Sequence, residues 1–186
     1  QVGMDDGFGE RHSRTRQVVV ADQHLPAARL GRGNTGDGGD AVILSGDGGY
    51  VLTGTYALGG AYFFKTDVKG DVLWNKIFGG ANLAPHLISM EKTTDNGYIL
   101  GGDVFWGYSS DVLLIKTDAK GDTIWTRIYG GDKPDGGEQV QQTAEGGYII
   151  AGFTESYGDA KGEYTEDIYV VKTDGNGNIS WTKTYG

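Results

Sequence analysis

The segment EGGYIIAGFTESYGDAKGEYTEDIYVVKTDGNGNISWTKTYG, residues 145–186, decides the fold, because variants of it begin at two earlier positions. The earlier copies start with DGGYVLTGTY at Asp47 and DNGYILGGDV at Asp95. The tyrosines that open the copies lie 48 and 50 residues apart, and the tryptophans that close them lie 51 and 56 residues apart. A fixed period of about 50 residues predicts a stack of structural repeats. These aromatic residues are Tyr50, Tyr98, Tyr148, Trp74, Trp125 and Trp181.

The composition favours an all-β protein and excludes several kinds of site. The 186 residues include 34 glycines but only 3 prolines, with 11 tyrosines and 4 tryptophans, a mixture typical of short strands joined by tight turns. The net charge of −9 predicts no nucleic-acid partner, because phosphate contacts need clustered Lys and Arg. The absence of cysteine removes disulfides, thiol nucleophiles and Cys-based zinc sites. No apolar run approaches the roughly 18 residues of a membrane span, so we expect no membrane insertion.

The repeat divides the chain into an N-terminal arm and three blades. Residues 1–39 do not match the repeat and end in a glycine-rich linker. Within this arm, the β-like run at residues 17–21 either belongs to a partly ordered segment or adds a strand to a neighbour's exposed edge. The predicted blades cover residues 40–80, 81–130 and 131–186.

Each blade is predicted to contain four antiparallel strands. In the third copy the pattern places them at residues 138–143, 148–153, 167–172 and 179–185. The glycines in the turn after the first strand and in the turn after the third supply the positive φ angle that tight hairpins require. The second and third strands are nearly continuous apolar runs, such as YIIAG and DIYVV, so we expect both of their faces to be covered.

The layer that covers these strands is expected to be another sheet of the same kind, because the connections are too short to carry helices. Four-stranded antiparallel sheets stacked face to face in tandem predict a β-propeller-like array. The fourth strand, ISWTKTY in the third copy, is more polar than the others. This polarity is expected for an outer edge strand beside solvent.

The repeat also resembles a known family. Its GGYIIAG segment is followed by D-x-Y, two apolar residues and the signature K-T-D-x-x-G-x-x-x-W. This pattern is similar to the β-propeller-like repeats of bacterial and archaeal surface and secreted proteins, and the similarity covers residues 40–186. The resemblance implies three blades and an extracellular or cell-surface location, and it implies no particular activity.

Two other propeller motifs are similar to the same hairpin, with slightly different spacing. They are the Asp-box of sialidase-like propellers and the tryptophan-docking motif of quinoprotein propellers. All three resemblances imply that the aspartate of the hairpin, Asp174 in the third copy, caps the turn while the tryptophan packs against the neighbouring blade. We therefore expect the six repeated tyrosines and tryptophans to be blade-docking residues.

Two other repeated features favour structural roles. The turn DGNGN at residues 174–178 superficially resembles a calcium loop, but lysine occupies its middle position in the other two copies. Lys65, Lys116 and Lys172 recur just before a Thr-Asp pair, which is typical of a packed stem whose charge lies near a carboxylate. We predict no metal and no cofactor.

The loop between the second and third strands differs most among the copies. Insertions into one loop of a repeat gather on one rim of the array, often the binding rim. Aromatic residues in these loops lie among carboxylates and could stack on sugars or anchor a protein partner, or could form a self-contained loop cluster. The candidate rim residues are Trp106, Tyr108, Tyr157 and Tyr164.

No residue pattern indicates catalysis, and we expect that the protein is not an enzyme. The histidines, His12, His24 and His86, are scattered, and no serine lies in a nucleophile elbow. Closed propellers typically have about four to eight blades, and the apolar third strands of the first and last blades are unlike polar caps. We therefore predict a structural or protein-interaction module that assembles with itself, through its blades and its arm, into a ring or a filament.

Two alternatives remain open at the level of the sequence. The chain could be a carbohydrate-binding module that uses the aromatic and acidic rim. It could also be a fragment of a propeller hydrolase whose catalytic blades are absent from this sequence. The first alternative predicts a glycan ligand at the rim, and the second predicts that the native chain continues.

Overall fold

The computed structural model describes residues 20–21, 37–56, 59–79, 83–158 and 166–186, and within these ranges the backbone forms strands and turns without a helix. The strands are β1 Val20–Ala21, β2 Gly38–Leu44, β3 Tyr50–Tyr56, β4 Gly60–Thr66, β5 Val72–Gly79, β6 Ala84–Lys92, β7 Tyr98–Trp106, β8 Ser109–Thr117, β9 Thr123–Tyr129, β10 Asp135–Gln142, β11 Tyr148–Thr154, β12 Asp167–Thr173 and β13 Ile179–Tyr185.

Three four-stranded antiparallel sheets follow one another along the chain, and we call them blades 1, 2 and 3. Blade 1 contains β2 to β5, blade 2 contains β6 to β9, and blade 3 contains β10 to β13, each with its strands in sequence order. The first strand of every blade has an irregularity where it pairs with the second strand, and the fourth has one where it pairs with the third. The all-β fold and its three propeller-like blades, predicted from the repeat, are therefore confirmed.

The N-terminal arm contributes the short strand β1. Val20 pairs with Phe78 and Ala21 pairs with Ile77, so β1 extends blade 1 at its outer strand, β5. This edge belongs to the chain's own first blade, whereas the sequence suggested the edge of a neighbour as one alternative. The rest of the arm before Asp37 lies outside the described residues.

A glycine in the second strand of each blade allows the first strand to approach closely. A Cβ atom on Gly102 would lie 1.9 Å from the backbone oxygen of His86, and one on Gly152 would lie equally close to the oxygen of Gly136. The equivalent distance for Gly54 is 2.3 Å. Each of these contacts lies beside the irregularity in the first strand, so any side chain there would displace the backbone.

The blades stack so that the first strand of each blade packs on the preceding blade. β6 contacts β2, β3 and β4 of blade 1, and β10 contacts β6, β7 and β8 of blade 2. One apolar cluster, which includes Phe63 and Leu100, fills the junction between blades 1 and 2. A second cluster, which includes Leu114 and Ile150, fills the junction between blades 2 and 3. The core therefore consists of two layers between three sheets.

The expectation that the second and third strands are covered on both faces is met most fully by the middle blade, while in blade 1 the third strand, β4, is buried over its first four residues. β7 and β8 are buried along almost their whole length. In blade 3, by contrast, fully buried positions in β12 alternate with less buried ones. The expectation was too general, because among the described residues blades 1 and 3 each have one neighbouring blade.

We predict that Gly102→Ala destabilises the protein by about 3 kcal/mol, because the new methyl group would collide with backbone atoms of β6 that cannot move aside as a side chain could. Gly39→Ala is the matched control, since a Cβ atom at Gly39 would have nothing within 4 Å. Denaturant unfolding of both variants measures the difference. Equal stabilities would contradict the close approach of the two strands.

Candidate functional site: the blade-docking faces and the loop rim

Each junction between blades joins two faces that carry different residues. We call the side of a blade with its repeat tryptophan the front face, and the side with its opening tyrosine the back face. Trp74 on the front of blade 1 lies against Tyr98 on the back of blade 2, with ring centroids 6.5 Å apart. Trp125 and Tyr148 meet in the same way at 5.6 Å. Both pairs are edge to face, an arrangement that the ring quadrupoles favour.

The tryptophan of each inner junction also lies on a glycine of the next blade. Gly121 and Gly177 occupy the turn between the third and fourth strands, and both have positive φ angles. A Cβ atom on Gly121 would lie 2.8 Å from the Trp74 ring, and one on Gly177 would lie 3.1 Å from the Trp125 ring. These glycines therefore serve the local turn and the contact between blades at the same time.

Polar contacts fix the alignment of the blades. Lys76 on the front of blade 1 lies 2.6 Å from the carboxylate of Asp122 in blade 2. At the next junction, the Tyr129 hydroxyl donates a hydrogen bond to the backbone oxygen of Gly177 at 2.7 Å. Burial raises the pKa of Tyr129, so this hydroxyl stays protonated and remains a donor.

The aspartate that begins each of these turns accepts hydrogen bonds from the turn's own backbone. Asp174 Oδ1 accepts from the amides of Asn176 and Asn178 at 2.9 and 2.8 Å. The corresponding oxygens of Asp67 and Asp118 accept two amides each. The carboxylate thus caps the turn, in agreement with the role that the hairpin motifs imply.

The repeated lysines connect the third strand of each blade to the turn after its first strand. The pairs are Lys65 with Asp47 at 2.5 Å, Lys116 with Asp95 at 2.9 Å, and Lys172 with Glu145 at 3.6 Å. Lys116 is buried, and its ammonium group also donates to the backbone oxygen of Thr117. Burial tends to raise the pKa of Asp95, but hydrogen bonds from Thr93, Lys116 and the Gly97 amide outweigh it and lower the pKa to about 2.

The remaining two docking residues lie on faces that are not covered by a blade in the described part of the chain. Trp181 is on the front face of blade 3, and Tyr50 is on the back face of blade 1. Both side chains are exposed, whereas Tyr98 and Tyr148 are buried. The structure therefore places four of the six predicted docking residues within junctions and two on outward faces.

The rim residues do not form one surface of exposed rings. The Trp106 indole donates a hydrogen bond to Asp111 at 3.0 Å, and the Tyr157 hydroxyl donates to the backbone oxygen of Gly130 at 2.6 Å. Tyr157 also packs against the apolar cluster of the second junction. Tyr108 is fully exposed, and Tyr164 lies outside the described residues. The contacts of Trp106 and Tyr157 therefore favour the alternative of a self-contained loop cluster for these two rings.

A polar group that the sequence did not indicate lies where the three blades meet. His86 lies between two carboxylates, 3.6 Å from Asp40 and 3.7 Å from Asp103. The carboxylate of Asp103 raises the pKa of His86, against the opposing effect of burial. Asp103 also accepts a hydrogen bond from the Gly137 amide of blade 3. The available signal was Asp103 itself, an acidic residue within the apolar run YILGGDVF.

A second buried polar group, centred on Asp135, was also missed. Asp135 is fully buried, and its carboxylate accepts hydrogen bonds from Thr154, from Ser156 and from the Gly131 amide. Its backbone oxygen accepts a hydrogen bond from Ser110 of blade 2. The group joins the loop after β11 to the junction between blades 2 and 3, and its contacts give it a structural role.

No family model and no curated protein sequence matches the chain. The described residues contain no helix with the length and apolar character that a membrane span requires. The same part of the chain contains no group of three or more His, Cys, Asp or Glu residues that could hold a metal ion. Membership of the chain in the family of surface and secreted repeats, which the resemblance implies, stays a prediction.

We predict that Trp125→Ala destabilises the protein by roughly 2–3 kcal/mol, because the change leaves a gap between Tyr148 and Gly177 at a junction where the ring is half-buried. Tyr108→Ala removes an aromatic ring that is fully exposed, and we expect a change within about 0.5 kcal/mol. Thermal and denaturant unfolding measure both. If both variants lose equally little stability, the Trp125 ring does not contribute to the contacts that stabilise the junction.

A pH prediction follows from Asp95, whose pKa of about 2 lies below its ordinary value of 3.8. The unfolded chain binds a proton at Asp95 more readily, so this contribution is complete above about pH 4 and is lost as the pH falls towards 2. Asp95→Asn removes the charged partner of the buried Lys116, so we expect lower stability at pH 7 and a smaller further loss in acid.

Asp132→Asn, a substitution of an exposed aspartate, is the control. This variant should keep the melting temperature of the unchanged protein and the same dependence of stability on acid. Melting temperatures measured between about pH 7 and pH 2 compare the three proteins. If Asp95→Asn and Asp132→Asn give parallel curves, the contact between Asp95 and Lys116 does not contribute to acid sensitivity.

Proposed function

We propose that the protein is a non-catalytic structural module that associates with copies of itself through its blade faces and its arm. The observation that carries this proposal is the pair of apolar outward faces. Val42 and Leu44 are exposed on blade 1, and Ile168 and Tyr185 are exposed on blade 3. Repeat proteins that stay monomeric need polar outer faces on their terminal repeats, and these faces are not polar.

The number of blades supports the same proposal. Propellers close into rings with typically about four to eight blades, and the described part of this chain contains three. Two chains would supply six blades for a ring, and a contact that does not close would continue as a filament. Either arrangement would cover apolar faces that a single copy of these blades leaves in water.

The arm is included because β1 already pairs with the outer strand of blade 1. An edge strand offers unpaired N–H and C=O groups to other chains, and pairing with β1 occupies part of that edge. The same pairing made by the arm on β5 of a neighbouring copy would link two chains, so removal of the arm would weaken association.

A carbohydrate-binding function has weaker support. Of the four rim residues, Trp106 and Tyr157 are held by internal hydrogen bonds, and the exposed ring of Tyr108 is the main feature that suits a sugar. A location outside the cell or on its surface is part of our proposal, and its support is the resemblance of the repeat alone.

Light scattering or analytical ultracentrifugation tests the proposal. We expect a particle whose mass is a multiple of the 19.9 kDa chain and which dissociates on dilution. Deletion of residues 1–36 should weaken association, while circular dichroism and melting show that the blades still fold. A monodisperse particle of one chain with a cooperative melt, across the concentration range, would contradict self-association.

A further inference from the structure

We infer that the copies associate head to tail, with the front face of blade 3 in one copy docked on the back face of blade 1 in the next. The inference rests on the proposed self-association and specifies its geometry. The contact would be a third instance of the junction that the chain forms twice within itself. The strand registers define which positions in the three blades are equivalent.

The front face of blade 3 carries the same kinds of residue that are buried at the inner junctions. Ile168 in β12 is 57% exposed, and its equivalent in blade 2, Val112, is 1% exposed. Tyr185 in β13 is exposed as well, whereas its equivalent Tyr129 is buried against blade 3. With the exposed Trp181, these residues complete a front face that lacks a docked blade in the described structure.

The back face of blade 1 shows the complementary pattern. Tyr50 is 36% exposed, while its equivalent Tyr98 is 3% exposed beneath Trp74. Val42 in β2 is 60% exposed, and its equivalent in blade 3, Val140, is completely buried. The two outward faces therefore have the composition of the two halves of one junction.

Charge supports this pairing and its alignment. At the junction between blades 1 and 2, Lys76 and Asp122 form an ion pair with 2.6 Å between the charged atoms. The residue equivalent to Lys76 in blade 3 is Lys183, and the residue equivalent to Asp122 in blade 1 is Asp71. Both are exposed. Docking of blade 3 on blade 1 would bring Lys183 and Asp71 together in the same way.

The turn glycine of blade 1 is ready to receive a tryptophan. Gly121 and Gly177 each lie under the tryptophan of the preceding blade. A Cβ atom on Gly121 would collide with the Trp74 ring at 2.8 Å, and one on Gly177 would lie 3.1 Å from the Trp125 ring and collide with Arg127 at 2.6 Å. Gly70 has the equivalent position and a positive φ angle, but a Cβ atom there would meet nothing within 4 Å. The open space above Gly70 is the place for Trp181 of the second copy.

Pairing of like faces is disfavoured by the same residues. Two front faces would place Lys183 on both sides of the contact, and two back faces would place Asp71 on both sides. Like charges opposed at an interface weaken association. The contact is therefore heterologous, with different surfaces on its two sides.

Two charge reversals test the pairing. Lys183→Asp alone and Asp71→Lys alone each place like charges at every contact between copies. We expect association to weaken about tenfold or more at low salt. An equal mixture of the two variants restores opposite charges at every mixed junction, so we expect association close to that of the unchanged protein. Lys133→Asp, which makes the same change in net charge as Lys183→Asp but away from both faces, should associate normally.

Cross-linking gives a second, independent measurement, because the chain has no cysteine of its own. We expect a short bis-maleimide to join Lys183→Cys chains to Asp71→Cys chains in a mixture and to leave each variant alone largely uncross-linked. Cross-linking of either variant with itself would indicate like-face pairing and overturn the inference. Melting temperatures establish that all variants are folded.

The outcomes separate this inference from the proposed function. If the unchanged protein is a single chain at every concentration, self-association itself is wrong. If it associates but both charge reversals associate normally, or if mixing them restores nothing, self-association stands and head-to-tail docking is wrong.

Discussion

The rest of the structure depends on the burial of one apolar sheet face against the next. The described connections between strands carry no helix, so a neighbouring sheet covers each inner face. The first strand of each following blade enters the junction most deeply, and the close approach at Gly102 and Gly152 brings it near the second strand. Turn geometry, the edge-to-face aromatic pairs and the contact between Lys76 and Asp122 all align surfaces that the hydrophobic effect brings together.

The repeat made the blades and their order predictable from sequence, because each copy places the same apolar runs and turn glycines at the same spacing. Strand β13 begins and ends where the pattern predicted, at Ile179 and Tyr185. Strand β10, however, begins at Asp135 and not at position 138. Asp135, Gly136 and Gly137 resemble a loop by composition, yet the glycines belong to a strand in which a Cβ atom would collide with Phe153 or Ile150.

The candidate sites were less predictable, because their contacts join residues that are distant in sequence. The Tyr129 hydroxyl bonds to Gly177, 48 residues later, and His86 lies beside Asp40 of the preceding blade. A comparison of the repeats shows which positions are equivalent. It does not show which aromatic side chain already has its polar atom hydrogen-bonded to a neighbouring residue. Trp106 and Tyr157 illustrate the difficulty, since their loop positions suggested a binding rim and their polar atoms bond within the chain.

Equivalent front and back faces also bear on how such a chain can change in length. A blade inserted between two others brings a back face for the blade before it and a front face for the blade after it. Duplication or loss of one whole repeat therefore leaves every junction with both of its halves, whereas loss of part of a repeat would leave a half without its complement. The number of blades can therefore change by whole repeats. Gly121 and Gly177 show that even a single turn residue of a repeat contributes to the contact with the neighbouring blade.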